Sequence, residues 1–411
     1  LLTLSCILNG ETIYKDIKRL KPAELLEFNL EEKIIKIKTT NQFKSAFKTN
    51  DFNEKQILKK VRNLLIDAVE KRIDSSKKQS IYLSGGLDSS LIGAICRYLY
   101  PKIEINSFNL TYIGKNVDKE KNQDSIYAKL ISKIIKSNHI TISVDPKKLD
   151  IYLKEIISFY GEPFASVPSM WFVSKEIRKN SKYSISGDGA DELFGSYYTH
   201  RKAYINKPKN TDDNLSIIAN YYDSFLNLDN NKLFNRLNNS LYSLPIDLIY
   251  DKNPIRNQLL LESHLIFPYK VLNYIDRLSM AHTLEPRSPF LDKDLWEFCF
   301  SLKDRFRVNK NITKYILKKV AEEFIPKKVI YREKEGFVFP LYPYIINNQK
   351  IIKDRILKLI YSDKFQIPKL INERWLNESI KEISIGKRKA YKKAQVIHTL
   401  NVISIWIQLF L

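Results

Sequence analysis

Six of the 11 glycines in this sequence lie in three short polar motifs, and the first of these motifs is suited to holding phosphate. It is the run Leu83-Ser84-Gly85-Gly86-Leu87-Asp88-Ser89-Ser90, which follows a predicted strand and opens a predicted helix. Adjacent glycines let the backbone wrap around an anion, a helix N-terminus offers unpaired N–H groups, and the serine hydroxyls add donors. The octet therefore predicts a phosphate cradle, and an ordinary capped turn between strand and helix is the alternative.

Asp88 indicates that a cation accompanies the phosphate. A carboxylate inside an anion cradle repels phosphate unless a divalent cation lies between them, and Mg²⁺ commonly bridges carboxylate and phosphate oxygens. The motif lacks the GxxxxGKS/T spacing and the lysine of a Walker A loop, and it does not match GxGxxG either. The sequence therefore predicts a phosphate and Mg²⁺ site of another kind.

The second motif places three acidic residues among glycines. The run Ser186-Gly187-Asp188-Gly189-Ala190-Asp191-Glu192 follows a short apolar stretch and continues to Gly195. Acids this close repel one another and contribute nothing to packing, which favours a metal or another cationic partner in the site. The acidic first turn of a helix is the alternative.

The third motif combines a lysine with a glycine. It is Tyr331-Arg332-Glu333-Lys334-Glu335-Gly336-Phe337, in which Lys334 is a point cation suited to meet charge that develops on a phosphate or carboxylate. Upstream of it, Glu285, Arg287 and Asp292 form either a buried ion-pair network or part of an acceptor site, and we favour the structural role.

The first two motifs lie in a region where predicted strands and helices alternate. Strands are predicted at 80–84, 105–110 and 139–144, and helices at 89–99 and 125–136. This alternation is typical of an α/β fold with a doubly wound parallel sheet and right-handed crossovers. Helical patterning dominates after residue 205, so a mostly helical part follows the sheet.

The chain divides near residue 48. Residues 1–48 contain short extended runs, with period-two alternation at 33–38, and are too few to bury both faces of a sheet. A helical pattern begins at Asp51, and we assign 49–411 to one large domain. The chain opens with Leu1-Leu2 and no methionine, as expected of a piece of something longer.

Composition restricts the partners and the compartment. The 68 basic and 46 acidic side chains give a net charge of +22, which reflects either compositional drift towards lysine or a surface for polyanions such as nucleic acid, and we favour drift. Three scattered cysteines indicate neither a disulfide framework nor a zinc site, so we expect a reducing, cytoplasmic environment. The apolar run 394–411 contains too many polar residues to cross a membrane and is interpreted as a core helix.

Together the three motifs resemble a known family. The first is similar to the pyrophosphate loop of the N-type ATP pyrophosphatases. The second motif, the block from Glu285 to Asp292 and the third motif, in that order over residues 55–411, resemble the synthetase domain of glutamine-hydrolysing asparagine synthetases. Residues 1–48 resemble the end of that family's N-terminal glutaminase domain. Cys6 is internal, whereas the family's nucleophile is an N-terminal cysteine, so we expect no glutaminase in the chain as given.

The resemblance implies a role for each matching residue, with ATP and Mg²⁺ as cofactors. Leu83 and the backbone at Leu110, Ser186 and Gly187 would enclose the adenosine. Asp88 and Asp191 would bind Mg²⁺. Asp188, where some members have glutamate, would act in forming an acyl-adenylate, and Lys334 would stabilise that transition state. The pyrophosphate would be held by Ser84, Gly85, Gly86, Leu87, Asp88, Ser89 and Ser90.

The reaction implied by the resemblance is amide formation through an acyl-adenylate, with release of AMP and pyrophosphate. Aspartate and free or glutamine-derived ammonia are the leading substrates, which would give asparagine. Amidation of a sugar acid, cyclisation within one molecule and a non-catalytic basic binding protein are the alternatives. A homodimer is included among the expected assembly states, and membrane and nucleic-acid partners are not expected.

Overall fold

The computed structural model describes residues 4, 6–40, 49–114, 123–166, 168–223, 235, 237–239, 253–333, 339–365, 368–386 and 390–411. Its centre is a five-stranded parallel sheet, whose strands lie in the spatial order β5 (Asn138–Val144), β4 (Ile105–Tyr112), β3 (Gln79–Tyr82), β6 (Tyr183–Ile185) and β7 (Glu285–Arg287). Helices cover this sheet and form the remainder of the described chain, so the predicted α/β fold with a following helical part is confirmed. A separate antiparallel pair, β1 and β2, lies near the N-terminus.

The predicted strands and the first predicted helices are present with small shifts at their ends. The strands are β1 Glu24–Asn29, β2 Ile34–Thr39, β3 Gln79–Tyr82, β4 Ile105–Tyr112, β5 Asn138–Val144, β6 Tyr183–Ile185 and β7 Glu285–Arg287. The α-helices are Glu54–Glu70, Leu87–Leu99, Gln123–Ile134, Leu149–Tyr160, Ser169–Arg178, Ala190–Phe194, Tyr198–Asn206, Thr211–Asp223, Pro254–Leu265, Asn273–Met280, Lys293–Phe300, Tyr315–Ala321, Lys327–Ile330, Leu341–Asn347, Gln349–Ile360, Glu373–Ser384 and Tyr391–Phe410.

The strand order reverses between β3 and β6, and this reversal creates a crevice. Chain connections run outward from β3 through β4 to β5, whereas β6 and β7 extend the sheet on the other side. Ile81 of β3 pairs with Ile185 of β6. In open parallel sheets, ligands bind beyond the carboxyl ends of the strands at such a switch point. The first motif follows β3 and the second follows β6, so the fold brings the two motifs to one crevice.

The helix Glu54–Glu70 packs against neighbouring helices through a regular apolar face. Asn53 caps its N-terminus by accepting a hydrogen bond from the Gln56 backbone N–H, and the Gln56 side-chain oxygen accepts one from the Asn53 backbone N–H. Ile57, Val61 and Leu65 are fully buried in the cluster that also contains Ile81 and Ile185 of the sheet. The helical pattern predicted from Asp51 onward is therefore the packing face of this helix.

The N-terminal hairpin lies largely in solvent. Its apolar side chains include Phe28, which is 50% exposed, and Ile35, which is 60% exposed. A two-stranded hairpin is marginally stable alone, and the preceding segment is fixed by the Arg19–Glu162 ion pair at 2.6 Å. The proposed division at residue 48 lies outside the described residues.

The C-terminal helix Tyr391–Phe410 is a core helix, as predicted. Ile397, Val402 and Ile405 are fully buried. Arg355 from a neighbouring helix binds the buried Asp150 carboxylate at 2.6 and 2.9 Å and donates to the Asn401 side chain in this helix at 3.2 Å. None of the helices in the described ranges has the length and apolarity needed to cross a membrane.

Burial of His398 in this helix makes the fold sensitive to acid. Its ring packs 5.5 Å from that of Phe339, and burial lowers the pKa of His398 from 6.5 to about 4. Because the unfolded chain takes up the proton first, stability is unaffected above pH 6.5 and is lost as the pH falls towards 4. We expect His398 to remove roughly 2 to 3 kcal/mol of the free energy of unfolding at about pH 4.5. Urea unfolding of the wild type and of His398→Leu, at pH 6.5 and at about pH 4.5, measures this loss. If the free energy of unfolding of the two proteins changed equally with pH, the prediction would be wrong.

Candidate functional site

The first and second motifs are in direct backbone contact at the carboxyl ends of β3 and β6. A Cβ atom built on Gly187 would lie 2.9 Å from the Ser89 nitrogen and 3.1 Å from the Asp88 carbonyl carbon. Atoms cannot approach so closely without displacement of the backbone, so the contact requires a glycine at this position. Two sequence segments about a hundred residues apart thus form one site.

The glycine loop is shaped by a second close approach. Gly85 has φ +76°, and a Cβ atom there would lie 2.3 Å from the Asp124 carbonyl oxygen. The helix Leu87–Leu99 begins immediately afterwards, so its N-terminal N–H groups and positive dipole face the loop. The Ser84 and Ser89 hydroxyls lie 3.0 Å apart and are hydrogen-bonded. The buried Ser90 hydroxyl has no hydrogen-bond partner among the described residues, which leaves one donor for a ligand.

Asp88 and Asp191 meet at the ammonium group of Lys314. The Lys314 Nζ lies 2.8 and 2.7 Å from the two carboxylate oxygens of Asp88 and 2.7 Å from Oδ1 of Asp191. Burial opposes the charge, but the Asp191 and Asp88 carboxylates outweigh it and raise the pKa of Lys314, so the ammonium is charged at neutral pH. The sequence predicted a metal or cationic partner for these acids, and Lys314 is such a partner. It was missed because nothing distinguishes it from the chain's many other lysines.

The remaining acids of the second motif have raised pKa values. Burial raises the pKa of Asp188 to about 6, and the charges of Asp88 and Asp191 act in the same direction. Burial and the adjacent Asp191 raise the pKa of Glu192 to about 8. The Tyr197 hydroxyl donates a hydrogen bond of 2.8 Å to Glu192. The pKa of Glu192 therefore lies above neutral pH, and this acid adds less repulsion to the site than a full charge would.

The backbone proposed to enclose the adenosine lies on three neighbouring strands. Leu83 extends β3, its N–H donating to the Phe108 carbonyl at 2.8 Å, and Ser186 extends β6, its N–H donating to the Arg287 carbonyl at 2.9 Å. Leu110 belongs to β4, beside β3. These residues lie at the same end of the sheet as the glycine loop.

The third motif reaches the glycine loop through Arg332. Its guanidinium donates to the Gly85 carbonyl at 3.1 Å, pairs with Asp124 and lies over the Tyr127 ring. Lys334 and Gly336 lie outside the described residues, so the position of the predicted catalytic lysine is not described. The contact of Arg332 with the glycine loop was not predicted from the sequence, because the third motif was interpreted through Lys334 alone.

In the block from Glu285 to Asp292, Asp292 is buried and has a structural role, whereas the Glu285 side chain is exposed at the edge of the sheet. The Asp292 side chain accepts hydrogen bonds from the first turn of the helix Lys293–Phe300 and binds Arg72 at 3.1 Å. Arg287 pairs with Glu285 at 3.1 Å within the edge strand β7. Both features position the sheet edge beside β6.

The carboxylate oxygens in the crevice are suitable ligands for a hard cation that phosphate also binds. Carboxylate oxygens are the ligands Mg²⁺ prefers, and it usually takes one or two from protein and the rest from phosphate and water. Asp88 and Asp191 supply that number. Within the part of the chain that the structure describes, no group of three or more His, Cys, Asp or Glu side chains forms a metal cage. The glycine loop and the buried Ser90 hydroxyl fit a phosphate beside the two carboxylates.

Comparison with known proteins gives consistent matches. The sequence model of the asparagine synthase family matches residues 60–408. The chain is 26% identical over 350 residues to glutamine-hydrolysing asparagine synthetase 1 of Bacillus subtilis, covering 74% of this chain and 53% of that protein. It is 28% identical over 346 residues to asparagine synthetase 3 of the same organism, covering 80% and 55%. A Gallus gallus asparagine synthetase is 28% identical over 297 residues, covering 70% and 44%. The chain thus spans about half the length of the curated relatives it matches.

Proposed function

Because this chain belongs to the asparagine synthase family, we propose that it forms amide bonds from a carboxylic acid and an amine in a reaction driven by ATP. A carboxylate oxygen attacks the α-phosphorus of ATP, and pyrophosphate leaves. The amine then attacks the acyl carbon, and AMP leaves as the amide forms. The protein is accordingly a carbon–nitrogen ligase under this proposal.

One observation carries the proposal: the glycine loop after β3 and the acidic loop after β6 lie against each other at the switch point of the sheet. A triphosphate needs backbone donors and ligands for a cation at one place, and this contact brings both together. Asp88 and Asp191 are the proposed ligands of Mg²⁺. When bound, Mg²⁺ neutralises phosphate charge during departure of pyrophosphate.

The remaining roles are those that the family resemblance implies for residues around this contact. Residues 84–90 would hold the pyrophosphate, and Leu83, Leu110, Ser186 and Gly187 the adenosine. Asp188 lies partly buried beside Asp88 and Asp191 and would orient the acceptor acid during adenylation. Holding both reactants in one orientation supplies much of the rate enhancement of such a transfer.

Aspartate and ammonia are the proposed substrates, which would make asparagine the product. Support comes from the names of the relatives, whose identity to this chain is 26% and 28%. Amidation of a sugar acid or cyclisation of one molecule would use the same ATP chemistry and a different acceptor pocket. The proposal also includes cytoplasmic location, a homodimer, and residues 1–48 as part of a glutaminase-like domain.

The test is to incubate the full chain with ATP, Mg²⁺ and ammonium, adding aspartate or glucuronic acid in parallel. We expect AMP, pyrophosphate and asparagine in equal amounts with aspartate alone. Amide formation only with the sugar acid would reassign the substrate, and ADP as the product would refute the class. Binding of nucleic acid that collapses with salt, without pyrophosphate release, would favour the basic binding protein.

Lys334→Ala is expected to slow turnover by about a hundredfold while leaving the Kd for ATP within about threefold of the wild type. A cation that acts only on charge developing in the transition state changes the rate and not ground-state binding. Single-turnover pyrophosphate release and equilibrium ATP binding separate the two effects. Lys328→Ala, at an exposed lysine in the same region, is the matched control. An equal loss of ATP affinity would contradict the assignment.

A further inference from the structure

The Lys314 ammonium lies where the proposed metal would be expected. We propose that Lys314 is the resident cation of this site: without nucleotide it occupies the space between Asp88 and Asp191 and prevents a divalent ion from binding there. Arrival of the triphosphate would give the ammonium a new partner and open both carboxylates to the metal. The inference rests on the proposed function, because it assumes that Asp88 and Asp191 are the metal ligands.

Both carboxylates are engaged by the same ammonium. It contacts the two oxygens of Asp88 at 2.8 and 2.7 Å and Asp191 at 2.7 Å, and only 5% of the Lys314 side chain is exposed. A divalent ion binding the same oxygens would lie next to this ammonium in a poorly solvated crevice, where like charges repel strongly. Metal and ammonium therefore compete for one position.

The backbone holds Lys314 in place for this contact. Lys314 has φ +53°, a left-handed conformation that is uncommon for a side-chain-bearing residue, and it immediately precedes the helix Tyr315–Ala321. The Tyr315 N–H donates to the Arg307 carbonyl at 2.9 Å. Arg307 is fully buried and its guanidinium donates to the Leu302 carbonyl at 2.6 Å. Such conformations persist where surrounding structure fixes them, frequently at functional sites.

The arrangement makes metal binding conditional on nucleotide. Two carboxylates satisfy only part of the shell of Mg²⁺, and phosphate oxygens must supply more of it. A triphosphate supplies these oxygens and also an anionic partner for the displaced ammonium. The metal would therefore enter with ATP and not before it.

The test is a titration of the nucleotide-free full chain with Mn²⁺, with free Mn²⁺ measured by electron paramagnetic resonance. The wild type is expected to show no saturable binding up to about 1 mM. Lys314→Met keeps the length of the side chain and removes its charge. This variant is expected to bind Mn²⁺ saturably, at concentrations about tenfold or more below the 1 mM limit of the wild type. Lys319→Met is the matched control: it removes the same charge from a half-buried lysine of the adjacent helix, which pairs with Glu322 and not with the two aspartates, and it should behave as the wild type.

Two further variants test whether the gain in Mn²⁺ affinity depends on Asp88 and on the charge at residue 314. Adding Asp88→Asn to Lys314→Met is expected to abolish the gain in Mn²⁺ affinity, and Lys314→Arg is expected to resemble the wild type. Saturable Mn²⁺ binding by the nucleotide-free wild type would overturn the inference even if Lys314→Met did not fold. An unchanged affinity in a folded Lys314→Met would overturn it as well. Failure of the proposed reaction would instead appear as absent pyrophosphate release, which these titrations do not measure.

Discussion

Asp88→Asn and Asp191→Asn are each expected to reduce ATP-dependent pyrophosphate release by about three orders of magnitude. Each substitution removes a charge and keeps the shape of the side chain. In the proposed reaction the two carboxylates hold the cation that neutralises the departing pyrophosphate, so either loss removes stabilisation when charge on the leaving group is greatest. Release of pyrophosphate in a single turnover, with saturating ATP and acid, measures the effect.

Unfolding must be separated from lost chemistry in these variants. Lys314 binds both acids, so one asparagine leaves the ammonium paired with the other carboxylate, and the thermal midpoint is expected to change little. Asp294→Asn is the matched control, because Asp294 is exposed and pairs with Lys71 at the surface. More than a tenth of wild-type activity in a folded Asp88 variant would contradict the assignment of this residue.

The two substitutions are also expected to be far from additive. Both side chains act on one cation, so removing the second ligand costs much less once the first is gone. A double variant whose rate falls by the product of the single effects would indicate that the two aspartates act independently. The structure argues against independence because one ammonium group contacts both residues.

The sheet and its first crossovers could be predicted from the sequence because their pattern is local. Strands β3, β4 and β5 are short stretches in which apolar residues are mixed with polar ones, and they are separated by helices with a regular apolar face; both signals lie within a few neighbouring residues. The glycines of the first two motifs could also be recognised in the sequence, because the chain contains only 11 glycines. The clash that a Cβ atom at Gly187 would meet explains one of them physically.

The edge strand β7 and Lys314 could not be predicted in the same way. Glu285–Arg287 has three residues and includes a proline, so it has no period, and it becomes a strand through pairing with β6. Lys314 lies 226 residues from Asp88, and only the folded chain brings its ammonium to the acids. Both features depend on tertiary contacts that no local pattern encodes.

Substitutions of Gly187 are expected to cause a large loss of pyrophosphate release, because a larger residue would push the glycine loop and the acidic loop apart. A methyl group at this position would meet the Ser89 nitrogen at 2.9 Å and Asp88 Cβ at 3.2 Å, and backbone atoms cannot move aside as a flexible side chain can. We expect Gly187→Ala to lower pyrophosphate release by about tenfold to a hundredfold and Gly187→Val by about a thousandfold, since a displacement near 1 Å costs a rate factor of about a hundred.

Gly93→Ala is the matched control for this series, because Gly93 lies in the helix that Ser89 helps to begin. A Cβ atom there would meet the terminal methyl group of Ile135 at 3.2 Å, and that side chain can move. Alanine also favours the helix by up to about 1 kcal/mol, so this variant should keep its activity. Gly187→Val with wild-type activity would mean that the close contact of the two loops is not needed for the reaction. A graded loss from alanine to valine at a constant thermal midpoint would instead tie the rate to the distance between Asp88 and the acidic loop.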